Sequence, residues 1–378
     1  MLDMEIPPIA SPFISAKRDV LNGVIAGREV DPDLRWRLRY TRVMNRLLGP
    51  LRYLEERYYD DKVRQVEIAE PPVMIIGHWR SGTTHLHYLM DQDPRFASIT
   101  NVEAAGSSAL FVLARWLEKL GGILPTMRRP MDNLPVGVDM AQEEEFAVAS
   151  RSDTAMYFHW MYLRHTREIF ERTVLFENAP AAAEEYAALH KFILQQATML
   201  HDKPILLKNP PSTGRVALLT RLYPGAKFIF LHRDPYQVFR STRHLYEKME
   251  NTYAVQRLSP RERDETVLYV YGRIMQRYLD ERSQIPAGQL VEVSYDELDR
   301  DGLGTLRRIY ETLGLPGWAQ AEPHFKSYLA SQQDYQKNKH RDDPEVYRMV
   351  NEVAGPVFDA FGYERRGEAP ARAVAAAG

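Results

Sequence analysis

The sequence predicts an α/β protein: a three-layer fold with a central, mostly parallel sheet flanked by helices. Three observations carry this. Four short apolar runs read as strands, at 73–76, 204–207, 227–231 and 290–293. Helical stretches separate them, at 84–91, 103–120, 139–150, 180–200, 212–222, 235–250, 261–281 and 303–313. The chain has 378 residues, 44% hydrophobic and 26% charged, which suits one large core of ordinary globular composition. Strands separated by helices imply a parallel sheet covered on both faces. Ligands of such sheets bind at the carboxyl ends of the strands.

Residues 1–70 read as an N-terminal helical extension. Asp33 to Arg64 carries apolar and aromatic residues at helical spacing, interrupted at Gly49-Pro50. Met1 to Ala10 is acidic and proline-bearing, without the basic-then-apolar order of a secretory signal. No apolar run reaches about 18 residues, so no membrane span is expected. Residues 71–365 form the main domain, since no linker divides them. The stretch 366–378 is alanine-rich, has no apolar period and reads as a disordered tail.

Composition excludes several chemistries. There is no cysteine, hence no disulfide, thiolate nucleophile, iron–sulfur cluster or cysteine zinc site. That absence fits a cytoplasmic location. A formal net charge of −2 argues against general nucleic-acid binding. No H-x-x-x-H or H-E-x-x-H spacing occurs, so no metal site is expected.

The most informative segment runs from Val73 to Thr84. An apolar strand leads into Gly77-His78-Trp79-Arg80-Ser81-Gly82-Thr83-Thr84, and a helical pattern follows. Backbone N–H groups and a helix N-terminus in that layout wrap an anion. The pattern is P-loop-like, close to G-x-x-x-x-G-K-[ST], but Thr83 stands where the lysine belongs and Arg80 supplies a cation inside the loop. A triphosphate would lose its main charge partner. A smaller anionic group can still be held by Arg80, the Gly82 backbone and the Ser81, Thr83 and Thr84 hydroxyls. The plain alternative is a threonine-capped turn.

A second anion site is expected at Leu231-His232-Arg233-Asp234-Pro235. Asp234 suits an N-cap and Pro235 the first helical position. Arg233 then sits at a strand's carboxyl edge, and Ser241 lies two turns into the helix. An arginine fork with a hydroxyl suits a phosphate monoester. The alternative pairs Arg233 with a carboxylate.

Together these two segments resemble the sulfotransferases that use 3′-phosphoadenosine 5′-phosphosulfate (PAPS). The loop at 77–84 looks like their 5′-phosphosulfate loop. Lys227 to Pro235, with Ser241, looks like their 3′-phosphate motif. The form R-S-G-T-T is closest to a bacterial branch that also resembles protein-tyrosine sulfotransferases. The resemblance runs from about Pro71 to about Tyr363. Leu206-Leu207-Lys208-Asn209-Pro210 looks like the family's strand ending in a lysine. Val293-Ser294-Tyr295-Asp296-Glu297-Leu298 looks like the segment whose tyrosine contacts the donor nucleotide. Ser331 through Lys337 to His340 loosely resembles the loop that closes over the donor.

The resemblance implies in-line transfer of a sulfuryl group from PAPS to a hydroxyl of a small-molecule, lipid or carbohydrate acceptor. Positioning and electrostatics carry such a reaction. Arg80 would contact the sulfate and leaving phosphate, and Lys208 the bridging oxygen. The cation cluster takes the place of a kinase's magnesium. Gln142-Glu143-Glu144-Glu145-Phe146-Ala147 resembles a stretch of the bacterial branch, and a carboxylate there could serve as base. A helix over 139–150 would put Met140, Glu143, Glu144 and Ala147 on one side, favouring Glu143, then Glu144, with Glu145 pointing elsewhere. Animal cytosolic members use a histidine instead. His159, within the aromatic run 157–162, reads as a packed or acceptor-pocket residue. A phosphate-loop kinase and a non-catalytic nucleotide-binding protein are the rival readings. The acceptor's identity and the oligomeric state are not legible in the sequence.

Overall fold

The four apolar runs do form strands, and two of them, at 73–76 and 205–208, are buried along their whole length. The computed structural model describes residues 12–106, 127–128, 135–332 and 343–367. Its strands are β1 (Val73–Ile76), β2 (Ala97–Ser98), β3 (Met127–Arg128), β4 (Pro135–Val136), β5 (Ile205–Lys208), β6 (Lys227–His232) and β7 (Leu290–Ser294). Among the described residues the main sheet has five strands in the order β2-β5-β1-β6-β7, every pair parallel. β3 and β4 form a separate antiparallel ribbon.

Side-chain alternation divides the core into two layers. Val73 and Ile75 pack with Leu206, Ile229, Leu231, Val291 and Val293, under the helices Thr83–Met90, Gly302–Leu313 and Trp318–Ser331. Met74 and Ile76 face the other way with Ile205, Leu207, Phe228 and Phe230. Helices Pro180–His201, Pro235–Thr252, Pro260–Glu281 and Pro344–Phe361 add side chains to that larger layer. Helices on both faces of a parallel sheet give the expected three layers.

The N-terminal segment also contributes. Helices Arg18–Ile25, Arg35–Leu47 and Gly49–Arg64 are present, and Phe13, Leu21, Val24 and Leu38 join the larger core layer. Gly49-Pro50 opens the third of these helices; proline in a first turn removes an N–H that has no helical acceptor.

Two expectations change. The helix over 139–150 begins only at Glu145. Its first residues are drawn off to another strand-like partner: Thr100 and Ala141 form an antiparallel bridge, and the Gln142 N–H donates to the Ile99 carbonyl at 2.7 Å. The 212–222 stretch divides into a tight turn, Pro210–Gly214, and a helix, Val216–Leu222. Of the helix expected over 103–120, Asn101–Gly106 is helical and residues 107–120 lie outside the described residues. Lys337 and the tail from 368 onward lie outside them as well.

Register fixes where chemistry can gather. Ile75 pairs with Lys208, and His232 with Ser294. The loop after β1, Lys208 at the end of β5, Arg233 after β6 and Tyr295 after β7 therefore emerge along one carboxyl edge.

Candidate active site

The loop after β1 is a tight cradle. Gly77 has φ +142°, and a Cβ there would lie 2.3 Å from the Leu231 carbonyl oxygen. Gly82 has φ +96°, and a Cβ there would lie 2.3 Å from the Tyr295 ring. Both positions require glycine by conformation and by space. Arg80 adopts φ +71°, a left-handed conformation costing a side-chain-bearing residue about 1–2 kcal/mol. Such strain gathers at ligand clamps. The Gly77 N–H donates to Thr213 Oγ1 at 2.7 Å, tying the loop to the turn after β5. Gly82 then stands as N-cap of the helix Thr83–Met90. Ser81 and Thr83 are buried and Thr84 is half-buried.

The second anion segment meets this loop directly. The Asp234 carboxylate accepts from the N–H groups of Tyr236 (2.8 Å) and Gln237 (3.4 Å), with Pro235 in the first turn. Its other oxygen accepts from Arg366 at 2.9 Å. Asp234 is thus committed to a helix cap and an ion pair, the arrangement that disfavours a magnesium role. Arg233 lies 4.1 Å over the Tyr295 ring and donates to the Arg80 carbonyl at 3.3 Å. Among the described residues no carboxylate pairs with Arg233. Arg80 Nε donates to Ser241 Oγ at 2.9 Å. Arg80, Gly82, Arg233, Ser241 and Tyr295 are therefore one contact group, assembled from the ends of β1, β6 and β7.

Lys208 closes the other side of the loop. It is only 2% exposed, pairs with Glu143 Oε1 and donates to Thr84 Oγ1 at 3.3 Å. Tyr157 donates its hydroxyl proton to the second oxygen of Glu143 and accepts from Trp79 Nε1 at 3.4 Å. Burial and then the Glu143 charge push the Tyr157 phenol well up, so it remains a donor. The resulting chain Trp79, Tyr157, Glu143, Lys208, Thr84 runs from the loop to the first turn of the helix that follows it.

The three acids of 143–145 take three different environments. Glu143 sits in the turn before the helix, so its approach to Lys208 comes from that turn and not from the helical phase expected. Glu144 is buried, with His190 Nε2 3.7 Å from its Oε1. Glu145 does point elsewhere: it is fully buried and takes Arg215 bidentately at 2.7 and 3.0 Å, plus Asn209 and the Met156 N–H. His159 is 1% exposed, bonds the Met156 carbonyl at 2.7 Å and lies 3.9 Å from the Trp160 ring. Burial pushes it down to about 3, so it is neutral. Burial likewise takes His78 to about 4, and it lies against Tyr271. Ser331 ends the helix Trp318–Ser331 and bonds the Tyr328 carbonyl. Sequence reasoning missed Tyr157, Thr213 and Trp79 as site residues. Tyr157 was visible only as one aromatic in a run, and nothing local marks Thr213.

Comparison with known proteins identifies the family. The sequence pattern of the sulfotransferase family matches residues 71–320. Two curated proteins, from Mycobacterium bovis and Mycobacterium tuberculosis, bear the name omega-hydroxy-beta-dihydromenaquinone-9 sulfotransferase Stf3. Each is 31% identical over 318 residues, spanning 84% of this chain and 81% of the relative. Among solved structures, sulfotransferase STF9 from Mycobacterium avium superposes with a TM-score of 0.70 at 19% identity, covering 91% of this chain and 90% of that one. Sulfotransferase STF1 from Mycobacterium tuberculosis gives 0.56 at 19% identity, with 89% and 90% covered. Those two structures speak for the fold; the extent and identity of the sequence match decide the family. The chain belongs to the sulfotransferase family and is a sulfotransferase.

Proposed function

We propose that the protein moves the sulfuryl group of PAPS to the hydroxyl of a lipid-like alcohol, with Glu143 as base and Lys208 as donor to the bridging oxygen. The observation that carries this is the buried Lys208–Glu143 pair, held against Thr84 at the head of the loop helix. An acid and a base sharing one hydrogen bond at the loop are poised for both halves of the transfer.

The residues fit the donor. Arg80, Ser81, Gly82, Thr83 and Thr84 would hold its phosphosulfate, in a cradle that a Cβ at Gly77 or Gly82 would fill. Arg233 and Ser241 would take the 3′-phosphate, and Tyr295, already stacked under Arg233, would flank the nucleotide. Lys337 belongs to the same reading. In transfer, the acceptor oxygen gives its proton to Glu143 and forms the new S–O bond. The S–O bond to the 5′-phosphate breaks, and the electron pair stays on that phosphate oxygen, stabilised by Lys208 and Arg80. Moving Lys208 from Glu143 to the bridging oxygen frees the carboxylate for the acceptor proton. Tyr157 holds the carboxylate in place. Glu144 is the second candidate base.

The lipid-like acceptor rests on the Stf3 relatives, whose name specifies a hydroxylated menaquinone. The test is incubation with labelled PAPS and a panel of isoprenoid, fatty, sugar and phenolic alcohols, read by mass spectrometry for one added sulfuryl group. Label on isoprenoid or fatty alcohols is expected; label confined to sugars or phenols would overturn the acceptor class.

Two further outcomes belong to this reading. Lys208→Ala should lower kcat by about 10²–10³-fold, the scale for losing one transition-state donor, while calorimetry still detects adenosine 3′,5′-bisphosphate binding. Unchanged kcat would remove Lys208 from the chemistry. Gly82→Ala forces a Cβ into the Tyr295 ring at a left-handed backbone. It should weaken adenosine 3′,5′-bisphosphate by about tenfold or more and lower Tm, and an unaltered Kd would show that the loop does not hold the nucleotide.

A further inference from the structure

We propose that the N-terminal helices Arg35–Leu47 and Gly49–Arg64 form a docking surface for an anionic lipid bilayer, a property beyond the transfer reaction itself. Among the described residues, the most exposed large apolar side chains all fall in this one segment. Leu47, Tyr53 and Tyr58 are 66%, 68% and 60% exposed.

The two helices follow one another through the single residue Leu48. Leu48 between them keeps a right-handed helical backbone, its N–H bonds the Met44 carbonyl, and its own carbonyl accepts from Arg52. At about 100° per residue, Trp36, Val43, Leu47, Leu51, Leu54 and Tyr58 then fall in a stripe about 80° wide and about 30 Å long. The face toward the protein is the polar one. Asn45 donates to the Ile14 and Ala16 carbonyls, Arg52 bonds the Ser15 carbonyl, and Arg37 bonds the carbonyls of Glu250, Asn251 and Ala254. Leu38 and Val63 are the main apolar residues it buries. A helix of a globular protein ordinarily turns its apolar stripe inward. These helices are anchored by polar bonds and present their apolar stripe outward.

Charge identifies the occupant. Arg35, Arg39, Arg42, Arg46 and Arg57 are exposed along one flank of the stripe, and none is held in an ion pair among the described residues. Arg35–Leu47 contains no acid at all, so the positive charge is concentrated there, whereas Gly49–Arg64 sets four acids against four bases. Arginines beside Trp, Leu and Tyr on an exposed helix face match the interface of an anionic bilayer. A second copy fits less well, because an isologous contact crowds the same arginine row against itself. Among the described residues no helix is long and apolar enough to cross a membrane, so the contact is superficial. The second helix is also tied to the body of the fold: Asp60 pairs with Arg151, the last residue of the helix that begins at Glu145.

The test is flotation of the full chain with vesicles of phosphatidylcholine alone or mixed with phosphatidylglycerol. The protein should float with the mixed vesicles, less so as salt is raised, and scarcely with the neutral ones. The triple variant Leu47→Ser, Leu54→Ser, Tyr58→Ser should bind mixed vesicles at least about tenfold more weakly, with Tm unchanged because all three are exposed. The variant Arg39→Gln, Arg42→Gln, Arg46→Gln should lose the preference for phosphatidylglycerol and its salt dependence. Absence of flotation by the wild type, or wild-type binding by either variant, would overturn the proposal. So would a dimer in solution that the serine variant dissociates. Sulfation of a detergent-dispersed lipid alcohol is measured alongside. If it persists without flotation, the surface is rejected and the acceptor reading stands; flotation with no lipid alcohol sulfated has the reverse meaning.

Discussion

Glu143→Gln should yield a folded protein that binds adenosine 3′,5′-bisphosphate yet turns over about 10²–10⁴-fold more slowly, the range for removing a general base. The argument is local. Glu143 is the carboxylate paired with Lys208, and its second oxygen accepts from Tyr157. Glutamine keeps an oxygen for Lys208 and the shape of the turn, but it cannot take a proton. Truncation to alanine is the poorer experiment, because it would leave the 2%-exposed Lys208 ammonium without its counter-charge. Steady-state kinetics with calorimetric binding of the bisphosphate separate the outcomes. A kcat within a few-fold of wild type would move the base elsewhere, with Glu144→Gln the next variant to make.

Glu145→Ala, two positions along, should instead cost stability, about 3–5 kcal/mol, because it strands Arg215 without its partner in the core. Both side chains are 0% exposed, and Arg215 stacks 3.9 Å over the Tyr186 ring while donating to the Thr173 carbonyl. Denaturant titration measures the loss; a midpoint close to wild type would show that this pair contributes little. The same pair sets an acid dependence. Burial by itself would raise the Glu145 carboxyl. The Arg215 charge and the hydrogen bonds from Arg215, Asn209 and the Met156 N–H outweigh it, so the folded value lies below the ordinary 4.5. Stability from this group is therefore fully present above pH 4.5 and is lost as pH falls through the depressed folded value. Glu145→Gln should flatten that part of the acid-unfolding curve. An unchanged slope would assign the acid dependence to other carboxylates.

Two residues of one acidic run thus have different partners, Lys208 for Glu143 and Arg215 for Glu145, and the sequence separated them only in part. The expectation that Glu145 turns away was correct in outcome, but the helical phase behind it was not. The chain over 139–142 pairs with residues 99–101, and helix propensity cannot compete with backbone partners supplied by a distant strand. The Lys208–Glu143 and Tyr157–Glu143 contacts depend on that displaced turn, which is why no periodicity argument could reach them. Thr213 escaped for a similar reason: its hydroxyl meets the Gly77 N–H across 136 residues of sequence.

What the residue order determined by itself was whatever neighbouring residues can enforce. Glycines at left-handed turns, Asp234 and Pro235 at a helix start, and apolar runs long enough for buried strands are local demands, legible without partners. The sheet's parallel register followed from helices between strands. Only the tertiary structure decided which cations and carboxylates share a buried hydrogen bond and which face of the N-terminal helices meets solvent. Those outcomes depend on the desolvation of a charge and on the distance to its partner, and both are set by segments far apart in the chain.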